Sequence, residues 1–170
     1  MKTLQCTDSE RRIALFPGSF DPFTRGHESI VRRVLPLFDE VIIAIGINCD
    51  KPGFMTMEQR KAWIESVFSD DPRVRVVTYS GLTVDVARDC HAQFLLRGVR
   101  MIQDFENEMH MAEVNRNLSG IETILLYTLP EDSHVSSSIV RELARFGQDI
   151  TDLLPKNADF HLLPTSDTKK

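Results

Sequence analysis

The chain has 170 residues, 42% of them hydrophobic and 26% charged, and its 25 acidic residues against 20 Lys and Arg leave a formal charge of -5. That length suits one domain closing a single core, and the composition is that of a globular protein rather than a disordered or fibrous one. The acidic balance argues against nucleic acid as a partner, since its phosphates demand a basic face, yet a few local cations can still hold a small anionic substrate.

Short apolar runs alternate with longer amphipathic segments, which is the pattern of an α/β fold. In chain order, strands are predicted over residues 12–16 (RIALF), 41–45 (VIIAI), 74–78 (VRVVT), 94–97 (FLLR) and 123–127 (TILLY). Between and after them, helices are predicted over residues 26–38, 57–68, 84–90, 102–118 and 137–146. Most of the strand runs are too continuously apolar to be half-exposed, so the expectation is a five-stranded parallel sheet covered by helices on both faces.

In the first helix, Ile30, Val31, Val34, Leu35 and Leu37 alternate with Arg32 and Arg33, giving one buried and one wet face, and Pro36 sits near its end. Gly147 follows Phe146 where a helix end favours a residue free to take positive φ. No linker rich in Gly, Ser or Pro divides the chain. One domain is therefore expected over residues 1–170, with a core of about 12–147 and a tail of about 148–170. Leu153, Leu154, Leu162 and Leu163 should pack that tail against the body or a neighbouring subunit.

No apolar stretch approaches the roughly 18 to 20 residues that span a bilayer, and the polar residues 1–12 do not read as a signal peptide. Cys6, Cys49 and Cys90 are odd in number and widely spaced, with no C-x-x-C pair. A reducing cytoplasm, with no membrane partner, is the expected setting.

In open parallel sheets the ligand sits beyond the carboxyl ends of the strands, so the residues after each apolar run carry the chemistry. The first run is followed by Pro17-Gly18-Ser19-Phe20-Asp21-Pro22-Phe23-Thr24-Arg25-Gly26-His27, a compact loop leading into a helix. Glycines there let backbone approach a ligand closely, and the helix start offers free amides and a positive dipole end to a phosphate. His27 in the first turn adds a side-chain donor.

The fourth run leads into Arg97-Gly98-Val99-Arg100, with Asp104, Glu106 and Glu108 opening the next helix. Two arginines flanking a strand end can grip phosphate oxygens with paired donors, although the same residues also suit a solvated turn. Asp132-Ser133-His134-Val135-Ser136-Ser137-Ser138 precedes the last helix. Its serines suit either a helix cap or a polyphosphate site, and physics alone leaves both open. Lys51 is a further cation at a strand end or an ordinary surface lysine. No G-x-x-x-x-G-K and no G-x-G-x-x-G is present, and the five histidines show no metal spacing, so no metal held by protein side chains is expected.

In this order, from residue 12 to residue 145, the three stretches and Lys51 resemble the bacterial phosphopantetheine adenylyltransferases of the nucleotidyltransferase superfamily, whose signature includes the T-x-G-H string found here at Thr24 to His27. The string from Asp104 to Met109 narrows the superfamily to that family. The resemblance implies a Rossmann-like domain, a homohexamer, and magnesium-dependent transfer of the adenylyl group of ATP to 4'-phosphopantetheine, giving dephospho-coenzyme A and pyrophosphate.

It further implies that Ser19 and Phe20 lie at the ATP and acceptor site, and that His27 stabilises the transition state. Lys51 and Arg97 match cations that hold the acceptor phosphate, and Thr83 lines the acceptor's arm. Gly98, Val99, Arg100 and Glu108 match nucleotide-binding positions, as do Asp132, Ser133, His134, Val135, Ser136, Ser137 and Ser138. Ser19 stands where the family more often has threonine, and Asp132 where an aromatic is expected. The alternative is an adenylyl- or cytidylyltransferase for another phosphorylated acceptor, such as nicotinate mononucleotide.

Overall fold

β1 (Ile13–Gly18) and β2 (Glu40–Gly46) are buried along nearly their whole length, and they form the centre of the sheet. They belong to a computed structural model that describes residues 11–46 and 53–164. β3 (Val74–Tyr79), β4 (Phe94–Val99) and β5 (Glu122–Tyr127) complete five parallel strands in the order β3-β2-β1-β4-β5. The parallel sheet expected from the apolar runs is therefore present. The edges differ from the centre, because β3 and β5 are only partly buried, each having a neighbour on one side alone.

Side chains of a strand alternate between faces, and the two cores follow that period. Ala14 and Phe16 join Val41, Ile43 and Ile45 on one face, beneath α1 (Arg25–Val34), α2 (Met57–Val67) and α5 (Ser137–Arg145). Ile13, Leu15, Ile42 and Ala44 face the other way, onto Ala87 of α3 (Thr83–Asp89). α4 (Ile102–Ser119) packs beside α3 against β4 and β5, and none of its residues is fully buried.

The first helix is shorter than its apolar pattern predicts. It stops at Val34 and passes into a 3-10 turn at Leu35–Leu37. Pro36 has no N–H to donate and crowds the carbonyl one turn back, so the α ladder cannot run through it. Gly147 has φ +69, the left-handed conformation that its place after α5 favours. The segment beyond it returns to the body, with Leu154 buried in the larger core and the Phe160 ring edge-on to Trp63 at 5.6 Å.

The chain order reverses between β1 and β4, which is where an open α/β sheet leaves a crevice. These strands pair only at Ala14↔Phe94 and Leu15↔Leu95, so their carboxyl ends separate and leave Pro17 and Gly18 across from Arg97 and Gly98.

Candidate active site

The loop after β1 is held from several sides. Asp21 is buried, and its carboxylate accepts the N–H groups of Phe54 at 2.7 Å and Met55 at 2.8 Å, with Arg60 Nε 3.2 Å away. Arg60 also donates to the Ser19 carbonyl, Trp63 Nε1 donates to the Phe23 carbonyl at 2.9 Å, and Arg141 donates to the Asp21 carbonyl at 2.7 Å. With α2 and α5 gripping it in this way, the loop presents a fixed wall to a cleft of about 360 Å³.

His27 reaches this cleft from the first turn of α1. Its Nδ1 accepts the Thr24 N–H at 3.0 Å, with the Thr24 hydroxyl at 2.9 Å. A backbone N–H only donates, so Nδ1 is unprotonated and Nε2 carries the ring hydrogen. Phe16, Phe20 and Phe23 surround the ring with centroids at 6.2, 5.2 and 5.3 Å. Desolvation in this setting, followed by the charges of Arg100 and Arg97, lowers the His27 pKa to about 4. His27 is therefore a neutral donor at physiological pH, suited to a charged oxygen rather than to proton transfer.

Arg97 donates from Nε and Nη2 to both carboxylate oxygens of Glu108 at 2.6 Å, and from Nη1 to the Pro17 carbonyl at 2.9 Å. This fork fixes the guanidinium between β1 and β4 while leaving part of its donor set open, since five N–H groups are available. Beside it, Ile30 of α1 packs its Cδ1 into the space that a Cβ on Gly98 would take. Arg100 pairs with Asp104 at 3.0 Å one turn along α4.

The serines that open α5 divide their roles. Ser136 caps the helix by accepting the Ile139 N–H, Ser137 donates to the Pro22 carbonyl, and Ser138 accepts from Arg141. All three hydroxyls thus have protein partners, and Ser136, Ser137 and Ser138 bring the start of the helix, whose first amides lack intrahelical acceptors, to the cleft.

Of the residues singled out from the sequence, Ser19, Phe20, His27, Arg97, Gly98, Arg100, Glu108, Val135, Ser136, Ser137 and Ser138 line this cleft. Val99 is buried, and it, Asp132, Ser133 and His134 lie outside the lining of the cleft. Asp132 instead points at Arg25, with Oδ1 2.9 Å from Nε. Lys51 lies outside the described residues.

Thr83 lines a second depression of about 270 Å³, where its hydroxyl is 3.0 Å from that of Tyr79. Pro17, Gly18, Ser19 and Arg97 belong to both hollows, so Ser19 and Arg97 stand at their junction. Arg141 and Thr128 in the cleft, and Tyr79 in the depression, were not among the residues drawn from the sequence. A basic residue one turn into a serine-led helix was the signal for Arg141.

A Cytidylyltransferase-like family model matches residues 15–143. The phosphopantetheine adenylyltransferase of Phocaeicola vulgatus is 54% identical over 85% of this chain and 96% of its own. The one from Bacteroides thetaiotaomicron is 48% identical over 88% and 99%. The chain belongs to the phosphopantetheine adenylyltransferase family. A further relative of that name, from Flavobacterium johnsoniae, is 51% identical over 85% of this chain and 95% of its own. Among solved structures, a bifunctional NMN adenylyltransferase/ADP ribose pyrophosphatase from Francisella tularensis superposes with TM-score 0.68 over 86% of this chain at 19% identity. This chain spans 46% of that protein, and at such identity the likeness is one of fold.

Proposed function

We propose that the chain transfers the adenylyl group of ATP to 4'-phosphopantetheine, forming dephospho-coenzyme A and releasing pyrophosphate. The observation that carries this reading is the junction of the two hollows. One hollow has two helix starts with His27, Arg100 and Arg141 for a polyphosphate, the other holds the Tyr79–Thr83 pair, and Arg97 and Ser19 stand between them. Relatives of 45–54% identity named phosphopantetheine adenylyltransferase support the same substrates.

An oxygen of the acceptor phosphate forms a bond to the α-phosphorus of ATP as the bond from that phosphorus to the bridging oxygen breaks, and pyrophosphate departs. No protein nucleophile is required. Catalysis rests on alignment of two polyanions and stabilisation of the charge that develops between them. His27 donates from Nε2 to an α-phosphate oxygen, while Arg97, and by family resemblance Lys51, hold the acceptor phosphate.

Magnesium belongs to the proposal as a companion of ATP. The cleft carboxylates Asp104 and Glu108 are both committed to arginines, and no group of three His, Cys, Asp or Glu among the described residues could cage an ion. When bound with ATP the ion would be held by triphosphate oxygens and water and would add positive charge there. A cytoplasmic setting and a homo-oligomer, a hexamer by family resemblance, complete the reading. No helix among the described residues is long and apolar enough to cross a membrane.

Pyrophosphate release from ATP and magnesium is the direct test, with 4'-phosphopantetheine, nicotinate mononucleotide and no acceptor run side by side. Release with the first alone is expected. Release only with another acceptor assigns the same cleft a different substrate and overturns the reading.

A further inference from the structure

Arg25 is the variable residue inside the T-x-G-H string, and its guanidinium turns away from the cleft that Thr24, Gly26 and His27 line. It joins the start of α1 to two other segments. Nη2 donates to the Glu131 carbonyl at 2.8 Å, Nη1 donates to the Asp152 carbonyl at 2.7 Å, and Nε lies 2.9 Å from Asp132 Oδ1. The contact from Nε is ionic rather than a well-aligned hydrogen bond, since that atom has no partner of good geometry.

Asp132 is 6% exposed and ends the 3-10 turn Pro130–Asp132 just ahead of the Ser136 cap. Its carbonyl accepts the Val135 N–H at 2.9 Å, and its Cβ lies 3.7 Å from where a Cβ on Gly26 would stand. The pair therefore sits where the start of α1 meets the turn that launches α5. Both helices open onto the same cleft, so their separation decides whether one polyphosphate can reach both sets of amides.

A carboxylate so near that cleft would repel a nucleotide's phosphates if it faced them. Arg25 offsets its charge and holds it away, and a buried carboxylate without such a partner would be costly. We propose that Arg25 and Asp132 form a positioning pair that sets the spacing of the α1 and α5 helix starts for the phosphates of the nucleotide, without touching it. The inference rests on ATP being that nucleotide. It gives Asp132 a task at a position where the family resemblance leads one to expect an aromatic, and it ties the cleft to the C-terminal segment through the Asp152 carbonyl.

Calorimetric titration of ATP, and separately of 4'-phosphopantetheine, into the full-length protein tests the pair. The variants are Asp132→Asn, Arg25→Met, and the double Arg25→Met/Asp132→Leu, which leaves no buried charge unpaired. Circular dichroism checks that each is folded. ATP affinity is expected to fall about tenfold in the singles, a modest loss for displaced binding groups, with acceptor affinity unchanged. The double variant, which also lacks the pair, should lose ATP affinity about tenfold as well rather than a hundredfold, because contacting residues are not additive.

ATP affinity equal to wild type in the folded variants overturns the pair's role. An equal loss for both ligands also overturns it, since that marks general loosening. Should the singles fail to fold, the double variant decides by the same readout. Wild-type protein that binds no ATP removes the functional reading and this inference together, whereas binding that survives all the substitutions removes this inference alone.

Discussion

Because the Thr24 N–H occupies Nδ1 of His27, protonating that atom would break the 3.0 Å bond that orients the ring, and apolar neighbours make the charge dearer still. The pKa of about 4 in the fold lies below the ordinary histidine value of 6.5, so the unfolded chain binds more protons between these values. The contribution of His27 to stability is thus full above about pH 6.5 and is lost as pH falls toward 4. In a proton NMR titration, the His27 ring resonances should remain those of a neutral imidazole from pH 8 down to about 5. A midpoint near the ordinary histidine value would show that the ring is not locked. At saturating substrates, His27→Ala should lower kcat by roughly 10² to 10³, the usual loss for one transition-state donor. An unchanged kcat would remove His27 from that role.

At the scale of elements, the loop after β1 keeps its shape through groups far along the chain. Asp21 alone gathers two amides and Arg60 from the segment that opens α2. Removing that carboxylate strands a nearly buried guanidinium and two amide donors, so Asp21→Ala should cost about 3 to 5 kcal/mol of folding stability. Urea unfolding measures it, and a loss below about 1 kcal/mol would show that water or a shifted loop replaces the carboxylate. Phe20 illustrates the same constraint, since it holds φ +46 with its ring 3% exposed, a conformation that a bulky residue adopts only when its surroundings fix it.

At the scale of the whole molecule, one helix is left conspicuously uncovered among the described residues. α4 has no fully buried residue, and Ile102 is 80% exposed with Met109, Met111, Val114 and Leu118 also open. At the pitch of an α-helix, Met111, Val114 and Leu118 fall on the side opposite Ile102 and Met109. A helix apolar on more than one side is ordinarily buried, which supports the proposed homo-oligomer. Wild-type protein should sediment as a hexamer, and Met111→Glu with Val114→Lys should shift it toward smaller species. Wild-type protein that sediments as a monomer at every concentration would remove the assembly from the proposal.

The sequence determined what local chemistry decides. Short apolar runs placed all five strands within about two residues, most plainly at β1 and β2, where a strand buried on both faces reads as a continuous apolar run. The loop from Pro17 to His27 was legible for the same reason, its glycines, prolines and helix start lying in one unbroken string. The helix expected to run to residue 38, with Pro36 near its end, instead stops at Val34 and passes into a 3-10 turn.

Tertiary structure alone decided how distant residues meet. It brought Arg141 and Tyr79 to the two hollows, paired Arg97 with Glu108, and turned Asp132 toward Arg25 rather than the cleft. It also engaged all three serine hydroxyls with the protein itself. Side-chain direction depends on how elements pack and which partners satisfy buried charge, and neither is encoded in spacing along one strand or helix. The same holds for the edge strand β5, whose run TILLY is as apolar as those at the centre and which only the strand order leaves half-covered.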